Sequence, residues 1–115
     1  MSEPYWEPLG AAPSARVVGG SVSSAGVKVS GAGFTVVKNS TGDYTVTFAP
    51  AFSVAPLVIV QIGYSVVWNR TAMVMNPSST ADTFPIATGF RVLTRDTGGN
   101  PQDTSFSFFA TDMPT

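Results

Sequence analysis

Asp96, Asn100 and Asp103 are the first residues to weigh for chemistry, because three oxygen-bearing side chains share one short segment. Calcium is held by about six to eight such oxygens. The spacing matches no EF-hand, however, and the turn preferences of Asp, Gly and Asn account for the same letters. The chain holds seven Asp and Glu residues in all, too few and too scattered to nominate a glycosidase pair, although folding could gather Asp82, Asp96 and Asp103. Solvated loop acids are the favoured reading. Cysteine and histidine are both absent, which removes thiolate nucleophiles, thiolate or imidazole zinc sites and every Ser/His or Cys/His pair. The expectation is a protein that is not an enzyme, with no catalytic residue, cofactor or metal.

Arg16-Val17-Val18-Gly19-Gly20 resembles the processed start of chymotrypsin-like proteases, but a chain without histidine has no general base for that mechanism. Asn39-Ser40-Thr41 and Asn69-Arg70-Thr71 fit the glycosylation pattern, which matters only in a secretory pathway, and no signal peptide supports one. The aromatic residues are more telling. Tyr5 and Trp6 sit on a proline-bearing stretch that cannot bury them locally, so they are expected to anchor the chain on a partner. Tyr64, Trp68 and Arg70 form a second group, a candidate receptor-facing patch of the kind enriched at interfaces, with Trp68 also suited to a core.

Those residues must be positioned by a small scaffold. The chain has 115 residues, 43% hydrophobic and 11% charged, enough for one core. Six Lys and Arg against seven Asp and Glu leave a net charge of -1, so neither nucleic acid nor an anionic membrane is an expected partner. No window approaches the roughly 20 apolar residues that span a bilayer. A small monomer spreads roughly 25–35% ionised residues over its surface. This chain carries far fewer, which implies that other subunits cover much of it.

Thirty-one residues are Val, Ile or Thr, and only three are Leu, a bias toward strands. Phe34 and Val36 alternate with Thr35 and Val37, and Tyr44, Val46 and Phe48 alternate with two threonines; Asn39 to Asp43 between them supply turn chemistry, predicting a hairpin. Residues 49–56 contain Pro50 and Pro56 and are expected to cross between sheets. Leu57 to Ile62 is apolar on both faces, as a central strand covered on both sides would be, and Gly63 suggests a bulge or bend before Ser65–Trp68. Residues 76–83 read as an exposed loop, while 90–94 and 106–110 read as two closing strands of a second hairpin-like unit around 96–101. Residues 19–33 suggest one weak strand whose edge a neighbour completes. The whole is expected to be an all-β antiparallel β-sandwich of about six to eight short strands, residues 21–115, preceded by an extended anchoring arm, residues 1–20.

Gly33-Phe34-Thr35-Val36, Thr41 to Phe48, Phe52, Ala55 to Val58, Gly89 to Val92, Asp96, Pro101 and Phe106-Ser107-Phe108 together resemble a β domain of bacteriophage tail-fibre and minor tail proteins. The resemblance spans about residues 31–111 and consists of strand and hairpin signatures, without the stalk, collagen-like repeat or heptads common in fibres. It implies a non-enzymatic virion structural protein, assembled in the host cytoplasm. It also implies a homo-oligomer, a trimer by the family's habit, bound to other virion proteins and touching a host-surface glycan or protein. A capsid decoration protein and a stand-alone carbohydrate-binding module are the alternatives.

Overall fold

The computed structural model describes residues 15–63, 69–78 and 84–112, and these build eight strands with no helix. In chain order they are β1 (Val17–Val22), β2 (Lys28–Ala32), β3 (Phe34–Ser40), β4 (Asp43–Phe48), β5 (Leu57–Ile62), β6 (Arg70–Met75), β7 (Gly89–Asp96) and β8 (Phe106–Thr111). They form two antiparallel four-stranded sheets, one ordered β2-β1-β8-β5 and the other β3-β4-β7-β6, packed as a sandwich.

Alternation decides which residues face inward. Phe34, Tyr44, Val46, Phe48, Phe90 and Val92 from one sheet meet Val18, Val22, Phe106, Phe108 and Ala110 from the other, all buried, with Phe52 closing one end. The rings meet edge to face: Phe34 and Phe108 lie 4.8 Å apart between centroids, Phe90 and Phe108 5.1 Å, and Phe48 and Phe52 4.8 Å. That geometry sets the positive edge of one ring on the negative face of the next.

The β3–β4 hairpin forms as expected. Gly42, at φ 64°, turns it, and a Cβ there would press on the Thr94 carbonyl oxygen at 2.5 Å. Residues 49–56 do pass from one sheet to the other.

Four expectations are corrected. Residues 17–20 are strand rather than arm: Val17 to Val22 pairs with β8 along its full length, so the sandwich begins at Val17. Residues 19–33 hold parts of two strands, not one: β2 is the strand at the sheet edge, and β1 lies between it and β8. Its glycines serve the packing, since a side chain on Gly20 would collide with the Ser30 carbonyl and meet the Phe34 ring at 2.7 Å. Leu57–Ile62 is an edge strand, with Leu57, Ile59 and Gln61 exposed and Val58, Val60 and Ile62 partly buried. Finally, β7 and β8 do not form a hairpin. The chain reverses at 96–101, where Gln102 N–H donates to the Thr94 carbonyl, then crosses to the other sheet through the buried Thr104.

Candidate functional site

The register sorts the connections to two poles. Residues 23–27, 41–42, Gly63, Asn69 and residues 97–105 lie at one, as the bonds Gly63 N–H to Ser105 O (2.8 Å) and Gly42 N–H to Asp103 Oδ1 (2.8 Å) show. Ala15, the 49–56 connection, residues 76–78 and 84–88, and Asp112 lie at the other. Residues 76–78 and 96–103 therefore belong to opposite poles. Tyr5 and Trp6 lie outside the described residues, but the chain that carries them joins the fold at the Val17 pole. Tyr64 and Trp68 also lie outside the described residues; Gly63 and Asn69, which flank them, stand at the opposite pole.

Arg70 opens β6 at that same pole, opposite Asp96 in register. Its Nη1 donates to Asn69 Oδ1, and its Nε is buried without a hydrogen-bond partner among the described residues. A donor so placed is costly unless a further group reaches it.

The carboxylates are occupied. Asp96 Oδ1 accepts from Gly98 N–H (2.8 Å) and Asn100 N–H (2.9 Å), the local bonding of an Asx turn. Asp103 accepts from Lys38 Nζ at 2.6 Å and from Gly42 N–H. Asp43 takes a two-pronged contact from Arg91, at 2.8 and 2.6 Å, and a third bond from Asn39. Asp112 accepts from the backbone of Arg16 at 2.6 Å. The Asn100 backbone N–H holds the Asp96 carboxyl below its ordinary range, Lys38 does the same for Asp103, and Arg91 for Asp43. A general acid needs the opposite shift. Among the described residues, no three acids, histidines or cysteines gather as a metal set.

The outer face of the β2-β1-β8-β5 sheet carries a gradient instead. Leu57, Thr111 and Val17 form its first row at the Val17 pole; Ile59, Phe109 and Gly19 form the second; Gln61, Ser107 and Ser21 form the third. Val17, Leu57, Ile59 and Phe109 are between 46% and 59% exposed, and none of these rows holds an ionised group. Toward the opposite pole Ser21, Ser23, Ser24, Ser105 and Ser107, with Gly63 and the apolar Val22, Val29 and Phe106, border an open depression of about 390 Å³. Ser21 and Ser107 bond side chain to side chain at 2.8 Å. The outer face of the other sheet mixes polar and apolar groups, with Thr35, Thr45, Thr47 and the Asp43–Arg91 pair beside the exposed Val37 and Met73.

Sequence reasoning missed this apolar face because Leu57 to Ile62 reads as apolar throughout. The available signal was Phe109, which breaks the alternation of β8 by placing a ring outward. No protein-family model, no curated protein and no solved structure matches the chain.

Proposed function

We propose that the chain is a non-enzymatic structural component of a bacteriophage virion, of the minor tail or tail-fibre type. It oligomerises with copies of itself as a trimer and is anchored through Tyr5 and Trp6 at the Val17 pole. Tyr64, Trp68 and Arg70 are presented to the host surface at the other pole. The observation that carries this reading is the charge-free apolar face formed by Val17, Leu57, Ile59 and Phe109 beside the entry of the arm. An exposed apolar patch without ionised groups is a surface suited to a partner, and every described Asp is engaged in structure rather than poised for catalysis.

Protein analysis of purified particles, with the chain located in a particle map, tests the assignment. Presence at the tail supports it, presence only on the head makes the chain a decoration protein, and absence from particles overturns it. The depression beside Gly63, bordered by five serines with Val22, Val29 and Phe106, favours a second reading, a neutral glycan-binding module. Binding of the purified protein on a glycan array, with no particle association, would replace the first reading by the second.

A further inference from the structure

The four sheet edges are not equally protected. Edge strands are normally blunted by charges, bulges or prolines, because their free N–H and C=O groups template pairing with another chain. The β2 edge carries Lys28 and a bulge at Val29, β3 carries Lys38 and a bulge at Asn39, and β6 opens on Arg70. In contrast, β5 is Leu-Val-Ile-Val-Gln-Ile, with no charge, proline or register break. Of the four edges it is the one with no such guard anywhere along its length.

A candidate strand exists in the same chain. In an edge strand every second residue turns its N–H and C=O toward the neighbour, and the others turn away. Pro4 and Pro8 are four residues apart, so both fall on one side, leaving Glu3, Tyr5, Glu7 and Leu9 to donate from the other. Proline in sheets occupies this solvent side of an edge strand. Residues 3–9 would thus pair on one side and block growth on the other, and at about 3.3 Å per residue they match the length of β5.

We infer that residues 3–9 of one copy add to the β5 edge of a neighbouring copy as a fifth strand, an inference that rests on the oligomeric reading above. Area favours a strand over simple face-to-face contact. The apolar rows cover a few hundred Å², below the roughly 800 Å² per partner of a stable interface, whereas Tyr5 and Trp6 each add about 150–250 Å². β5 is not the strand beside the point where the arm enters the fold. β8 lies between β1 and β5, Asp112 binds the Arg16 backbone there, and the Arg16 guanidinium sits 4.5 Å over the Phe52 ring of the connection leading into β5. A head-to-tail exchange of arms makes a ring when the rotation between copies closes, as a third of a turn does in a trimer.

Because the chain has no cysteine, the full-length double variant Glu7→Cys with Gln61→Cys, treated with a short bismaleimide, reports the contact directly. A covalent ladder ending at the trimer is expected. A link confined to single chains, or none, overturns the inference. Light scattering separates the two claims: Ile59→Lys, at an exposed position, should leave the circular dichroism spectrum and melting temperature intact while reducing the mass to a monomer. An oligomer that survives Ile59→Lys would keep the oligomeric reading and discard this edge; a wild-type monomer would discard both.

Discussion

Tyr44 joins three parts of the chain through one oxygen. Its ring is buried against Phe106, and its hydroxyl donates to the Ser24 carbonyl at 2.7 Å while accepting from Thr104 N–H at 3.2 Å. Burial pushes the phenol above its ordinary range, so it remains a neutral donor. Tyr44→Phe keeps the packing but strands a carbonyl and an amide, and is expected to lower stability by about 1–3 kcal/mol in urea denaturation. Asp43 makes a different prediction. The Arg91 guanidinium depresses its pKa, so its contribution is complete above the unfolded value of about 3.9 and is lost as the pH falls through the lower folded value. Asp43→Asn should therefore cost about 2 kcal/mol at neutral pH. Denaturation curves across pH should show the gap to wild type closing below pH ~4; a gap independent of pH would remove the ion pair from the account.

At the scale of elements, β4 was legible because threonine on the outer face and aromatic or valine residues on the inner face separate cleanly, and β3 was legible as its hairpin partner although Val37 faces outward. The same rule hid β5, whose outward positions hold Leu57 and Ile59, so that a half-exposed edge reads like a buried strand. It hid β1 as well, because Gly19 and Gly20 carry no side chain to alternate. Gly20 is bare for a steric reason, which predicts that Gly20→Val drives the Phe34 ring and the Ser30 carbonyl apart. Overpacking of this kind costs about 1–3 kcal/mol, and each kcal/mol lowers the melting temperature by roughly 4–8 °C in a domain of this size. A thermal midpoint within a degree of wild type would show that β2 yields freely. The false β7–β8 hairpin has its cause in the turn itself: residues 96–101 do reverse the chain, and only the later crossing at Thr104 sends β8 to the other sheet. For the candidate site, the aromatic groups could be named from the sequence, but that Ala15 on one hand and Gly63 and Asn69 on the other, which lead to them, stand at opposite poles required the register.

For the whole molecule, the boundary between arm and sandwich decides what can be removed. Arg16 is fixed by Asp112 and Phe52, and the next residues form a strand paired with β2 on one side and β8 on the other. A chain lacking residues 1–14 keeps all eight described strands and both contacts of Arg16. It should melt cooperatively near the wild-type midpoint while losing particle attachment and self-assembly. A chain lacking residues 1–20 also loses most of β1, including Val18 from the core and all but the last two residues paired to β8, so the β2 edge has nothing to rest on. That truncation is expected to unfold or aggregate. Melting and light scattering on both truncations test the two roles separately. Equal stability would return residues 17–20 to the arm, and assembly by the shorter truncation, 15–115, would leave the aromatic pair Tyr5 and Trp6 without the anchoring role proposed for it.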